Sequence, residues 1–472
     1  MIRTRSAAVL SAGISAALLA SAVSLPAVAQ VQPGSERGTE ALDLYRDLIS
    51  FRTAEGHGQV PAMAERLAQE LREAGFSDED ITITPSGETA YMTVRYEGSG
   101  EEAPIAFMAH MDVVDALPED WEHDPFALRE EDGFFLGRGA VDNKMGVAHL
   151  TRAFAELKAS GFVPDRDLFL AFSGDEETGM ATTQALANSL APLGFAYALN
   201  SDAGGGALSE DGTALGYGMQ VAEKTYATFE VTVTNPGGHS SQPRADNAIY
   251  DLTSILQRVA ELRFPAMSNE ITRGLIRAAA AGEPAERAAL MRRFADDPAD
   301  SEAAAALVND PKTAPDVSTT CVATMLDAGH AENALPQRAT ATVNCRIFPG
   351  VEVSEVQDRL EELSADIENV TWQALDNPSA SPISTPDPEV MAAVKAALAP
   401  RYPDVTVMPN QSAGGTDGKW FRKAGIPTFA VSPIFFPPSP VGAHGLNERA
   451  PADSFYFGLD YWPALIRDLA AD

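Results

Sequence analysis

Five short turns carry residues that could bind metal and move protons. "FMAHMDVV" places His110 and Asp112, "GRGAVDNKMG" sets Asp142 at the entrance to a helix, and "SGDEETG" offers Glu176 and Glu177. "ALNSDAGG" adds Asp202 and "VGAHGLNE" adds His444. Two imidazoles and several carboxylates without a cysteine suit a hydrolytic zinc site, with cobalt or manganese as substitutes. A pair of metals needs one ligand shared between them. Asp142 is the natural bridge, because aspartate has two oxygens and little reach to misplace them. His110 and Asp202 could then complete one ion, and Glu177 and His444 the other. Singly, such residues more often serve turns and caps. The weight lies in five of them in Gly- or Asp-rich turns after apolar strands.

The elements that must position them follow from periodicity. Strands at "ITITPS", "AYMTVRYEG", "PIAFMAH", "DLFLAFSG" and "FAYALN" alternate with helical patterns near residues 40–51, 60–74, 145–160 and 182–190. That alternation predicts an α/β fold, a mostly parallel sheet flanked by helices, whose strand carboxyl ends share one edge where ligands bind. From about residue 222 the pattern changes. "TYATFEVTVTNPGGHSSQP" alternates like an antiparallel strand, a helix is expected over 247–261, and an Ala/Arg/Glu-rich helical stretch runs from about 269 to 308. Strands at 317–326 and 339–348 and a helix at 353–364 complete an inserted α+β unit. The expected divisions are 30–221 and 373–472 for the two parts of one domain, with 222–372 inserted between them.

The motifs "HMDVV", "GRGAVDNK", "SGDEETG", "NSDAGG", "NPGGHSS", "GGTDG" and "GAHGLNE", in this order, resemble those of the co-catalytic di-zinc peptidases and amidohydrolases. That family includes glutamate carboxypeptidase, aminoacylase, acetylornithine deacetylase, succinyl-diaminopimelate desuccinylase and the carboxypeptidase S type. The long insertion near 265–315 resembles the last branch. The resemblance implies two zinc ions per subunit, with Asp142 bridging, His110 and Asp202 on one ion, and Glu177 and His444 on the other. It implies Glu176 as the general base towards a metal-bridging water and Asp112 as the carboxylate orienting the His110 imidazole. It further implies a cis peptide after Asp142, where this chain has Asn143 in place of the family's frequent Asp or Met. The inserted unit resembles a lid that also mediates homodimerisation. His239 matches its carbonyl-polarising histidine, and Asn333 and Arg346 its substrate-binding pair. Gly414, Gly415 and Thr416 match the loop closing on the substrate's carboxylate end. His57, His123, His149 and His330 are read as structural.

Composition narrows the partners. A net charge of −33 over 472 residues argues against nucleic acid and anionic membranes, both of which need basic patches. Residues 1–29 read as a secretory signal: Arg3 and Arg5, an apolar Ala/Leu/Val run, then Ala27-Val28-Ala29. A secreted or periplasmic protein meets an oxidising compartment, where Cys321 and Cys345 either pair or stay as buried thiols. The expected activity is hydrolysis of an amide bond beside a free carboxylate, by a carboxypeptidase or dipeptidase. The alternatives are an N-acyl amino acid hydrolase of the same mechanism, a catalytically inactive binding protein, and a lidless zinc aminopeptidase.

Overall fold

The apolar runs that lead to the metal-type residues lie at the centre of a ten-stranded sheet. A computed structural model describes residues 30–375, 378–439 and 441–471, so the expected signal at 1–29 lies outside the described residues. Four central strands, Arg166–Ser173, Glu102–His110, Tyr197–Asn200 and Thr428–Ala430, are neighbours in that order and run parallel. Ile105 to His110 and Leu168 to Ser173 are buried without a break, as expected of strands covered on both faces. Phe107, Ala109, Leu170 and Phe172 face a core built with the helices Glu36–Ser50, Val60–Glu73, Lys144–Ala159 and Ala452–Leu469. Met108, Ala106 and Ala171 turn the other way, onto the helices Ala181–Leu190 and Gly418–Lys423. Further out the sheet is mixed: Thr89–Tyr96 pairs antiparallel with Arg166–Ser173, whereas Val407–Ser412 pairs parallel with Ala214–Glu223.

A second, four-stranded sheet is antiparallel throughout, in the order Thr320–Ala328, Arg338–Ile347, Thr225–Thr234 and Val370–Leu375. Leu252, Ile255 and Val259 of helix Ala248–Glu261 pack on one face, with Val356 and Leu360 of helix Val353–Glu362. The opposite face keeps Thr342, Asn344 and Arg346 half-exposed. Cys321 stands directly across from Cys345 in the register, and the two form a disulfide. The stretch expected as helical over 269–308 is three helices, Glu270–Ala279, Ala285–Asp296 and Ser301–Asn309. The breaks fall at Pro284 and Pro298, which cannot continue the backbone hydrogen bonding of a helix interior. Ile276, Met291, Phe294 and Leu307 give this segment its own small core.

Candidate metal centre

His110 is the last residue of its strand, and the chain turns after Ser173 and Asn200 into the Glu176–Glu177 and Asp202 turns. Three of the expected ligands thus leave adjacent parallel strands at the same edge. Asp142 reaches them from the turn before helix Lys144–Ala159, and His444 from the loop before strand Arg449–Pro451.

The resulting arrangement has two halves that share one carboxylate. His110 Nε2 lies 2.9 Å from Asp142 Oδ1 and 3.3 Å from Asp202 Oδ1. His444 Nε2 lies 3.1 Å from Asp142 Oδ2 and 3.0 Å from both oxygens of Glu177. Each half therefore offers one imidazole nitrogen and two carboxylates, and Asp142 gives one oxygen to each. Ligand atoms of His110, Asp142 and Glu177 all lie within 4.8 Å of one another. A donor set of nitrogen and oxygen around two such centres fits a pair of borderline-hard divalent ions.

Carboxylates dominate the electrostatics around both imidazoles. Burial presses the His110 imidazolium down, yet Asp202, Asp112 and Asp142 outweigh it and hold its pKa well above the usual value. Hydrogen bonding to Asp142 and Glu177 lifts His444 to about 10. Burial pushes Asp202 up to about 6, with His110 pulling against it. Burial also opposes ionisation of Asp142, but the two imidazoles overcome it and keep that carboxyl well below its ordinary range.

The three consecutive acids of "SGDEETG" divide their work. Asp175 caps helix Ala181–Leu190, accepting from Ala181 N at 2.8 Å and Thr182 N at 3.0 Å. Glu177 faces His444. Glu176 is buried, and among the described residues its carboxylate has no hydrogen bond or ion pair. Burial, with Asp202, Asp417 and Glu177 close by and His110 opposing, raises its pKa well above the ordinary carboxylate value. The Asp112 carboxylate fixes this turn by accepting from Glu176 N at 3.0 Å and Glu177 N at 2.9 Å. His110 Nδ1 is held by the Asp112 carbonyl oxygen at 3.1 Å, closer than the carboxylate at 3.6 Å. Both the backbone and, at the longer distance, the side chain of Asp112 thus face that nitrogen of the imidazole.

Asn143 occupies its place with two bonds. Its Nδ2 donates to Asp202 Oδ1 at 2.9 Å and its Oδ1 accepts from Ser201 Oγ at 2.9 Å. The Asp142–Asn143 peptide is cis. Gly146 lets helix Lys144–Ala159 approach this turn, since a Cβ there would meet Asn143 Oδ1 at 2.1 Å and Ser201 Oγ at 2.2 Å.

The residues expected to meet substrate are less concentrated. His239 is exposed in the two-residue strand Gly238–His239, paired with Ala334–Leu335, and Ser240 N donates to the Asn333 carbonyl at 3.1 Å. His239 and Asn333 are thus neighbours, but among the described residues no bond joins either to the metal-type cluster. Ser241 N donates to His239 Nδ1 at 3.2 Å, which leaves the ring proton on Nε2. Arg346 lies over the Tyr226 ring at 4.6 Å and donates to Ala413 O at 3.3 Å, so it meets the loop carrying Gly414 and Gly415, both exposed. Thr416 is turned away. Its N and Oγ1 donate to Glu223 Oε2 at 3.1 and 2.9 Å, and it is buried, so it anchors the loop instead of facing substrate.

Five buried residues escaped the sequence reading. Glu223 pairs with Arg422 at 3.0 Å beneath the Thr416 loop. Asp417 accepts from Ser173 Oγ at 2.6 Å, close behind Glu176, and burial raises its pKa to about 7. Arg138 and Glu448 form a pair at 2.7 Å between the Asp142 and His444 loops. Their nearness to the expected ligands in "GRGAVDN" and "HGLNE" was the available signal. Of the other histidines, His149 is buried with Nε2 2.8 Å from Phe455 O, and His57 and His123 lie 3.7 Å from single surface carboxylates.

Comparison with known proteins agrees with this geometry. N-fatty-acyl-amino acid synthase/hydrolase PM20D1 of Xenopus tropicalis is 29% identical over 387 residues, covering 78% of this chain and 73% of that protein. Aminoacylase-1 of Mus musculus is 25% identical over 440 residues, covering 91% and 95%. The M20 family metallo-carboxypeptidase Sso-CP2 from Sulfolobus solfataricus shares the fold, with TM-score 0.69 at 18% identity over 91% of this chain and 98% of that one. The profile of Peptidase family M20/M25/M40 matches residues 106–468, a span that takes in the four-stranded sheet, most of the ten-stranded one and every ligand-type residue above. With the strand-end residues of metal-ligand type and the aspartate between them inside that span, the chain belongs to peptidase family M20/M25/M40 and is an enzyme of its metallopeptidase and amidohydrolase class.

Proposed function

We propose that the protein is an exported dinuclear zinc hydrolase that cleaves an amide bond next to a free carboxylate, in a carboxypeptidase or dipeptidase reaction. The observation that carries this is the Asp142 carboxylate, whose two oxygens face two separate imidazole–carboxylate pairs. His110, Asp142 and Asp202 would hold one zinc, and Asp142, Glu177 and His444 the other. Bound there, the pair would lower the pKa of a water and polarise the scissile carbonyl.

Glu176, buried and among the described residues without a hydrogen-bond partner for its carboxylate, takes the proton of the attacking water and delivers it to the leaving amine. His239 has its Nδ1 occupied by Ser241, which frees Nε2–H to donate to the carbonyl oxygen as charge develops. Arg346, flattened on Tyr226, presents a guanidinium fork to the substrate's carboxylate, with the Gly414–Gly415 backbone beside it.

A second reading keeps this mechanism and takes N-acyl amino acids as substrates. The names of the frog and mouse relatives favour it. Export is supported by the signal-like segment 1–29 and by the Cys321–Cys345 disulfide, a bond suited to an oxidising compartment. A homodimer through the inserted unit is supported by the edge strand Thr320–Ala328, which exposes Val322, Met325 and Leu326. The test is hydrolysis of matched substrates, dipeptides and N-acyl amino acids, each with a free and an amidated carboxyl group. Selective cleavage of the free acids is expected, with Arg346→Met raising their KM about 10- to 100-fold, the value of a charged hydrogen-bonded pair. Equal cleavage of the amidated forms would remove the carboxylate clamp from the account.

A further inference from the structure

Strands Phe134–Leu136 and Arg449–Pro451 pair antiparallel, and each runs directly into a loop with one metal-type residue. Asp142 follows the first strand and His444 precedes the second. Between the loops lies the Arg138–Glu448 pair, with both side chains almost fully buried. Glu448 Oε2 accepts from Arg138 Nη1 at 2.7 Å and Gly139 N at 3.0 Å. Its Oε1 accepts from Val141 N at 2.8 Å and Asp142 N at 3.2 Å. Arg138 Nη2 reaches back to the carbonyls of Gly445 at 3.0 Å and His444 at 3.4 Å, while its guanidinium lies 5.1 Å from the centre of the Trp121 ring. His444 itself has φ 61°, in the left-handed region that a non-glycine residue occupies at a cost.

Each partner of this ion pair thus grips the other's loop. Glu448, from the His444 loop, holds the amides that lead to Asp142. Arg138, from the Asp142 loop, holds the carbonyl of His444 in its strained conformation. We propose that Arg138 and Glu448 are positioning residues for the second half-site: they set the separation of Asp142 Oδ2 from His444 Nε2, and so the affinity of the ion shared by Asp142, Glu177 and His444. This rests on the two-ion reading above. Among the described residues no hydrogen bond joins the pair to His110 or Asp202, so it reaches the first half-site only through the shared Asp142. Residues that orient metal ligands change affinity by about 10- to 100-fold when removed, and that loss should fall mainly on the ion facing His444, whose loop the pair holds from both sides.

The test is stepwise zinc binding to the metal-stripped protein, measured by competition with a chelator, for the unsubstituted chain and Glu448→Gln. One step should weaken about 10- to 100-fold and the other by less than about threefold. In the Glu177→Ala background, which retains the half-site of His110, Asp142 and Asp202, Glu448→Gln should lower the remaining affinity by less than about threefold. The double variant Arg138→Met/Glu448→Gln leaves no unpaired buried charge and serves where the single variant does not fold. It should show the same one-step loss. Equal weakening of both steps, or two steps at parental affinity, overturns the proposal. Failure of the two-ion reading would show separately, as a single binding step in the unsubstituted protein.

Discussion

Replacing Glu176 by glutamine separates proton transfer from every other property of the site. The turn that carries it is fixed through the Glu176 and Glu177 amides on Asp112, and those bonds do not involve the Glu176 side chain. Its carboxylate is buried and unpartnered among the described residues, with a pKa raised chiefly by burial. The amide has nearly the same volume and removes a charge that the fold disfavours, so melting temperature should hold or rise slightly. Metal content should also hold, because the ligand contacts of Asp142, Glu177 and His444 are untouched. A positioned general base contributes about 10²- to 10⁴-fold, so kcat should fall by that factor, or about 3–5 kcal/mol of barrier. Steady-state hydrolysis of a free-carboxylate substrate, with metal analysis of the same sample, reads both quantities. A kcat within tenfold of the parent at full metal content would show that the proton travels by another group. Loss of an ion would show that Glu176 is itself a ligand.

Two further outcomes concern stability. Burial lowers His149 to about 4 against 6.5 for a free imidazole, so between those values the unfolded chain binds a proton that the folded one refuses. Stability therefore falls as pH drops from about 6.5 towards 4, by ~2 kcal/mol at pH 5 from this group. Urea unfolding at pH 7 and pH 5 should show a smaller acid loss for His149→Gln than for the parent. An identical loss in both would remove His149 as the cause. The Cys321–Cys345 disulfide spans 24 residues of sequence, and chain entropy assigns it about 3 kcal/mol. Cys321→Ala/Cys345→Ala should melt at a lower temperature than the parent and lose the parent's sensitivity to reductant, whereas equal melting would argue that the bond adds nothing.

What was legible in the sequence was the edge of the parallel sheet. His110, Glu177 and Asp202 each follow an unbroken apolar run, and such runs mark buried strands whose ends lie together. The placement of Asp142 between two imidazoles was also readable, because a short carboxylate with two oxygens suits such a position. Arg138 and Glu448 were not, since an arginine and a glutamate in polar loops look like solvated surface until the loops are seen to meet, 310 residues apart in sequence. The burial of Thr416 was hidden for a related reason. A threonine in a glycine-rich loop suggests an exposed hydroxyl, and the buried Glu223 that captures it lies 193 residues away. The helical stretch over 269–308 was read by composition, which is blind to the interruptions that Pro284 and Pro298 impose.

The central claim is that two metal ions sharing Asp142 carry the reaction. Zinc titration of the chelator-stripped protein, with amide hydrolysis followed at each addition, tests it directly. The account predicts no turnover in the stripped protein and full recovery that saturates at two equivalents per chain. Full hydrolysis without metal, or saturation at one equivalent, would contradict it.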